Sequence, residues 1–364
     1  MAKKKFSAGL TFIACLLALI IGFAAAFFIY TYVNRESGGD VYVSGDLSIH
    51  FMELGNDRTG DSIYIKAGNT DILIDAGSTR ASSNTTASYM DEYITDGTLE
   101  FVIVTHADED HIAGFAGSTS SPSIFDRYDC EVIIDFARTN KNTAVYKDYV
   151  TQRDEAVAAG AKHYTALQCW NNADGAKRTY EVSNGIEMEI LYNYYYENES
   201  DDENNYSVCL MFNQGDTHFL FTGDLEEDGE SRLVDNNDLP EVELFKAGHH
   251  GSKTSSTDKL LQVIRPKIVC VCCCAGTDEY TDTKENQFPT QAMIDRVAPY
   301  TDRVYVTSQV DESAASGYRS MNGNIVVTSN RNGVSVECSN NTTVLKDTEW
   351  FKNNRTMPDA WKAA

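Results

Sequence analysis

Positive charge is scarce in this sequence: 30 lysines and arginines stand against 54 aspartates and glutamates, a net charge of −24. A surface with that balance repels polyanions and anionic lipid at long range. It excludes tight, sequence-independent binding to nucleic acid, which needs stripes of Lys and Arg. Nucleic acid stays open as a substrate that a metal centre grips locally, but not as a charge-driven partner. Internal repeats are absent, and low complexity is confined to residues 194–205, Tyr-rich then acid-rich, which read as an exposed loop. A patterned thiolate site is also lacking. Cys270 and Cys273 have the spacing of a metal or redox pair, yet they lie with Cys272 and Cys274 in a short apolar run that reads as a buried strand. Adjacent cysteines on one strand point to opposite faces and pair poorly as disulfides.

What is present begins with a long apolar run. Lys3, Lys4 and Lys5 precede residues 6–34, which carry no charge and are rich in Leu, Ile, Ala and Phe. About 20 such residues suffice to cross a bilayer as a helix. The run continues through Phe27 and Phe28, past the only small-residue cleavage signal at Ala24–Ala26, so an uncleaved anchor is the expectation. With the lysines on its near side, the positive-inside rule leaves the N-terminus in the cytoplasm and the rest outside the cell. The expected organisation is an anchor over residues 1–34, a polar linker over 35–46, a globular domain over 47–345 and a C-terminal tail over 346–364. Within the domain, short strands (47–54, 62–67, 71–74, 101–105, 131–135, 188–192, 207–213, 217–222, 243–246, the cysteine run, 304–307, 324–328 and 334–338) are interspersed with helical stretches at 87–94, 146–161, 257–264 and 290–298. That mixture predicts an α/β fold with helices packed on mixed sheets.

Histidine is rare, seven in all, and four of the seven fall in two motifs. Directly after the strand at 101–105 comes His106-Ala-Asp108-Glu-Asp110-His111, with four potential metal ligands within six residues. A turn there aims imidazole nitrogens and carboxylate oxygens at one point, the donor types a divalent cation takes. Thr222-Gly-Asp224 ends a second strand and presents a further carboxylate. Lys246-Ala-Gly-His249-His250-Gly-Ser252-Lys253 ends a third, and its Gly and Ser leave room for a phosphate. His50, His163 and His218 read as ordinary strand or helix-end residues.

In their order and spacing these segments resemble the metallo-β-lactamase superfamily, most closely the extracellular hydrolase domain of ComEC-type competence proteins. Gly60-Asp61-Ser62, Asp75-Ala-Gly77, Asn204-Asn-Tyr-Ser207, Asn286 to Pro289 and Gly323-Asn-Ile325 extend the likeness over about residues 47–338. The resemblance implies a four-layer αββα sandwich with two divalent metal ions, Zn²⁺ or Mn²⁺, at one edge of the sheets. His106 and Asp108 would hold one ion, Asp110, His111 and His249 the other, with Asp224 bridging. His250 would line the substrate pocket or serve as a ligand itself. Asp75 would orient the ligand loop, and Asp61, Asn204, Ser207 and Lys253 would brace the ligands or touch substrate. Asp110, His250 and Ser252 are the groups assigned to the reaction, which the resemblance makes hydrolysis of a phosphodiester by a metal-bridging hydroxide.

The sequence departs from the family in three places. Asp108 stands where lactamases usually have His, Asn204 or Asn205 where another His precedes the central hairpin, and Phe288 where competence-type sequences often have His before the proline. The first two enrich the site in oxygen donors, which suits phosphate chemistry and makes β-lactam hydrolysis a distant alternative. The large membrane channel of competence proteins has no counterpart, so DNA import by this chain alone is not expected. The rival readings are a nuclease acting on extracellular DNA and a non-catalytic, metal-stabilised binding module at the cell surface. Tyr192 and Tyr194–Tyr196 beside Glu197 and Glu199 could stack on a substrate or cage a cationic head group. Topology is directly testable: protease added to intact cells should digest the domain after Arg35, and protection while an external control is cut would reverse the orientation.

Overall fold

The computed structural model describes residues 47–362. The apolar run, the linker and the last two residues lie outside them, and with them the anchor expectation. Among the described residues no helix is long and apolar enough to cross a membrane.

The chain first lays down β1 (Leu47–Phe51), β2 (Ile63–Ala67), β3 (Thr70–Ile74), β4 (Thr98–Ile103), β5 (Asp129–Asp135) and β6 (Lys162–Thr165). It then builds β7 (Thr179–Ser183), β8 (Ile186–Ile190), β9 (Leu210–Gln214), β10 (Thr217–Phe221), β11 (Leu244–Lys246), β12 (Ile268–Ala275), β13 (Val304–Val310) and β14 (Tyr318–Ser320). Finally β15 (Ile325–Asn330) and β16 (Gly333–Cys338) return to the first group. Two eight-stranded sheets result, in the orders β16-β15-β1-β2-β3-β4-β5-β6 and β14-β13-β12-β11-β10-β9-β8-β7. β3 to β6 run parallel in one sheet and β10 to β13 in the other.

Side-chain alternation sorts the residues between layers. Leu47, Ile49 and Phe51 of β1 meet Phe219 and Phe221 of β10 and Cys270 and Cys272 of β12 in one core between the sheets. Phe51 stacks on Phe221 with ring centres 6.3 Å apart. The alternate positions Leu220, Val269, Val271 and Cys273 face a second core with Leu233, Leu260, Ile264, Met293 and Val297 from helices Glu227–Asn236, Asp258–Ile264 and Gln291–Val297. On the far side of the first sheet, His50 donates to or accepts from Tyr89 of helix Ser82–Met90 at 2.7 Å. The order is thus helices, sheet, sheet, helices. The cysteine strand is buried on both faces, as a parallel strand covered on both sides must be, and the eight described cysteines are free.

Several elements differ from the sequence reading. His163 lies on β6, not at a helix end, and its Nε2 meets Asp135 at 2.8 Å. β6 and β7 escape detection because they are edge strands with mixed, half-exposed side chains. Residues 194–205 are not an open loop. Tyr196 and Glu203 are buried, the Tyr196 hydroxyl accepts from Cys209 N, and Glu203 accepts from Thr139 and Asn140 N. Residues 346–362 form helices Glu349–Asn354 and Asp359–Lys362, whose Trp350, Phe351 and Trp361 are buried in the second core.

Glu230 links helix packing to the site. It is fully buried on helix Glu227–Asn236 and accepts from the backbone N–H groups of Ser256 (2.6 Å) and Thr257 (2.7 Å), just after the two histidines. Burial pushes its carboxyl up to about 7, although those N–H groups pull the other way. A folded-state value raised above the unfolded one means that stability falls as pH rises from about 4.5 to 7, by on the order of 3 kcal/mol. Glu230→Gln should be less stable throughout, because an amide donor then faces a backbone N–H, and should lose that slope. Denaturant midpoints across pH 4.5–7.5 that fall equally in both proteins would refute the assignment.

Candidate metal centre

The carboxyl ends of the parallel strands converge at one edge of both sheets, where open α/β sheets gather their functional groups. From the first sheet come Asp75 after β3 and Thr105 and His106 after β4. The chain then enters helix Glu109–Ala116 with Asp108 as its N-cap, which places Asp110 and His111 in the first turn. Backbone hydrogen bonds weld three segments here: Asp61 N donates to Asp110 O (3.1 Å), Gly77 N to Asp61 O (2.9 Å) and Ala76 N to His111 O (2.9 Å). A Cβ on Gly77 would stand 1.5 Å from Asp110 O, so only glycine permits the approach. The second sheet contributes Asp224 after β10, whose N–H donates to Ser207 Oγ at 3.1 Å. After β11, His249 and His250 both adopt left-handed backbone, with φ of 46° and 53°.

That turn sends His250 inward. Its Nε2 lies 2.9 Å from Asp224 Oδ2, 3.3 Å from Asp110 Oδ2 and 3.3 Å from His111 Nε2, which is itself 3.1 Å from Asp224 Oδ2. The opposite ring nitrogens are held from behind, His111 Nδ1 by Asp75 Oδ2 at 2.7 Å and His250 Nδ1 by Cys272 O at 2.9 Å. Asp75 also accepts from Thr105 N and Oγ1. Such backing fixes the ring orientation and leaves each Nε2 as the ligand atom.

The donor set fits a divalent cation. Tetrahedral ligation through bonds of ~2.0–2.1 Å sets donors about 3.3 Å apart, close to the spacing of these four atoms. One atom of Asp61, His111, Asp224 and His250 each falls within a 4.8 Å cluster. His106 Nε2, wholly buried, has no hydrogen-bond partner, and the nearest carboxylate oxygen, Asp108 Oδ2, is 3.6 Å away. An orphaned buried nitrogen beside a carboxylate suits a second cation on the His106 side.

Four carboxylates, Asp61, Asp75, Asp110 and Asp224, surround this point, and a buried lysine answers them. Lys246 Nζ lies 2.5 Å from Asp61 Oδ2 and 3.1 Å from both Asp224 Oδ1 and Gly223 O. Burial works to lower its pKa, but Asp61 and Asp224 raise it further, so it stays charged. Burial likewise works against protonation of His111 and His250, and is outweighed by Asp224 together with Asp75 for His111 and Asp61 for His250; both end well above the ordinary histidine value. His106 is driven well below by burial and by the neighbouring His111, which together outweigh the pull of Asp224 and Asp110.

The structure thus brings His106, Asp108, Asp110, His111, Asp224 and His250 together, with Asp61 and Asp75 behind the rings. His249 lines the cavity mouth with its Nδ1 held by Glu226 (3.0 Å) and Thr254 (3.3 Å), and it is His250, which the sequence reading placed first in the substrate pocket, that clusters with Asp61, His111 and Asp224. Ser252 bonds within its own turn, to Thr254 at 3.0 Å, and Lys253 reaches Asn286 at 3.1 Å; neither meets the cluster. Asn204 lines the cavity, and Ser207 sits 3.5 Å from His106 Nδ1. Phe288 packs against both histidines, with ring centres 5.7 and 6.1 Å away. Sequence reasoning missed Lys246, Lys141, which pairs with Asp108, and Tyr280, whose hydroxyl donates to Asp110 Oδ2 at 2.7 Å. A lysine at the end of an apolar strand was the one signal for Lys246. The cavity over the cluster measures about 350 Å³ and its lining includes Asp108, Glu109, Asp110 and Glu279.

Comparison with known proteins agrees with this picture. The family model described as "Metallo-beta-lactamase superfamily" matches residues 55–122 and 201–275. ComE operon protein 3 of Bacillus subtilis is 27% identical over 222 residues, 58% of this chain and 24% of that protein. Recombination protein 2 of Haemophilus influenzae is 28% identical over 115 residues, 32% of this chain and 13% of that protein. The matches span about a quarter or less of the length of these relatives. Among solved structures, the metallo-beta-lactamase fold protein YhfI from Bacillus subtilis aligns with a TM-score of 0.43 at 10% identity, covering 72% of this chain and 96% of that one. A putative metal-dependent hydrolase from Parabacteroides distasonis aligns at 0.34 and 15% identity, covering 63% and 84%.

Because His111 and His250 carry protons in the metal-free cluster, a cation must displace them. Metal uptake at pH 7 should release protons, seen as a buffer-dependent calorimetric enthalpy, and affinity should climb as pH rises above 6.5. Affinity that stays flat from pH 6 to 9 would contradict the charge assignment.

Proposed function

We propose that this chain, which carries a metallo-beta-lactamase superfamily domain, is a dinuclear-metal phosphodiesterase held at the cell membrane by its N-terminal segment, with the domain outside. The observation that carries the reading is the oxygen-rich donor set: Asp108, Asp110 and Asp224 beside His106, His111 and His250, at the floor of a cavity of about 350 Å³. Mixed carboxylate and imidazole donors suit Zn²⁺ or Mn²⁺. Cations held there supply Lewis acidity, lowering the pKa of water and drawing charge from a phosphoryl oxygen.

The chain's own residues do the rest. Asp224 offers one oxygen to the cluster while Lys246 holds the other. Asp75 and the Cys272 carbonyl lock the rings of His111 and His250, so the donors need no reorganisation when substrate arrives. Phe288 packs against the rings of His249 and His250 and shields that side of them from water.

The rim decides between substrates. Glu109 and Glu279 line the mouth, and an adjoining hollow is edged by Asp201, Asp202 and Glu203, with Lys141 already paired to Asp108. With Arg58 paired to Glu279, the rim still has more carboxylates than cations, so a duplex laid across it meets more repulsion than a diester with one phosphate. The preferred substrate is therefore a small or cell-wall phosphodiester; cleavage of extracellular DNA is the second reading, from the resemblance of the motifs to the competence-type hydrolase domain.

With Zn²⁺ or Mn²⁺ supplied, kcat/KM on small phosphodiesters should exceed that on duplex DNA at low ionic strength, and salt should narrow the gap by screening exposed charge. Chelation or Asp110→Ala should reduce turnover at least about a hundredfold. Rapid duplex cleavage that slows steeply with salt would hand the case to the nuclease, and undiminished turnover by metal-free protein would end the metal reading.

A further inference from the structure

The segment between β12 and helix Gln291–Val297 crosses the mouth of the cavity as a strap. One end is pinned to the first sheet's connection between β1 and β2, where Glu279 accepts from Arg58 Nη1 at 3.0 Å and from Thr59 N at 2.8 Å. The other end is pinned by Arg355, which donates to Gln287 O at 2.6 Å and Pro289 O at 2.9 Å. Between them stands Tyr280. Its ring packs on Phe288 with centres 5.7 Å apart, and Phe288 packs in turn on His249 and His250. That row of rings fixes where the hydroxyl points. The residue is 53% exposed, yet its oxygen reaches the cluster and donates to Asp110 Oδ2 at 2.7 Å.

The other side-chain donors lining the cavity have partners outside the cluster, although Arg58, Asn204 and His249 each keep a further N–H or ring nitrogen. Arg58 is spent on Glu279, Ser78 Oγ on Asn56 at 3.0 Å, Asn204 Nδ2 on Glu226 at 3.4 Å, and His249 Nδ1 faces Glu226. Tyr280 alone among these gives its proton to an oxygen that is itself a candidate metal ligand. Were a cation to take that oxygen, the hydroxyl would be left on the lining of the cavity without its present acceptor.

We infer that Tyr280 is a catalytic residue that contacts substrate, its hydroxyl donating a hydrogen bond to a non-bridging phosphoryl oxygen of the bound diester. This rests on the phosphodiesterase reading above. The proton stays on the phenol throughout; the bond strengthens as negative charge gathers on that oxygen, which places its effect on the rate.

Tyr280→Phe keeps the ring packing and removes only the donor. In the full-length metal-loaded protein, kcat on a small phosphodiester should fall by about tenfold or more, with KM within about twofold. Metal content by elemental analysis and the melting midpoint should match the wild type, and inorganic phosphate, used as a binding probe, should bind several-fold more weakly. If the variant instead loses metal and recovers full turnover at saturating cation, Tyr280 merely braces Asp110 and the inference is overturned. Unchanged kcat and phosphate affinity overturn it as well. A wild type that turns over no phosphodiester would sink the functional reading separately, since the phosphate-binding comparison needs no turnover.

Discussion

The structure turns on how a single carboxylate is shared. Asp224 gives one oxygen to the ammonium of Lys246 and the other to the ring nitrogens of His111 and His250. Four carboxylates in a water-poor edge would repel one another at a cost of several kcal/mol per unpaired charge. Lys246 neutralises part of that permanently; imidazolium protons or cations must supply the remainder. Because Lys246 belongs to β11, Asp224 to the turn after β10 and His111 to the helix after β4, the charge balance closes only when both sheets are in place. Val208 N donating to Thr105 O at 2.8 Å completes the same junction through the backbone. Fold and site are therefore one construction.

Much of this was legible in the residues. The strand before His106, the Gly-Asp turn at Asp224 and the paired histidines each stand at the end of a parallel strand, and that is why a short motif could be read as a site. Which of two adjacent histidines turns inward was not legible. It depends on two consecutive left-handed residues at 249 and 250, a conformation that periodicity does not encode. Lys246 and Tyr280 were hidden for a different reason. Their roles arise from contacts between segments separated by more than 20 residues along the chain; Tyr280 lies outside every motif, and Lys246 stands at the head of one without its position there marking a partner. Tyr196 and Glu203 were misjudged because composition suggested solvent, whereas Glu203 caps the backbone of the 139–140 turn and Tyr196 fills the core below it.

The same charge logic separates this centre from a thiolate one. Cys272 contributes through its carbonyl, which holds His250, and its thiol is pushed far above the ordinary range by burial. Four clustered cysteines thus act as small apolar side chains in a strand covered on both faces, and the metal chemistry is left to oxygen and nitrogen.

The pairing of β1 with β15 has a consequence for how the molecule is made. β1 ends at Phe51 and its first partner β2 begins at Ile63, but its other neighbour is synthesised roughly 280 residues later. Until then an apolar edge carrying Leu47, Ile49 and Phe51 lies open, and such edges recruit wrong partners. The first sheet therefore closes only when the last strands arrive, and until then that edge of β1 stays open to pairing.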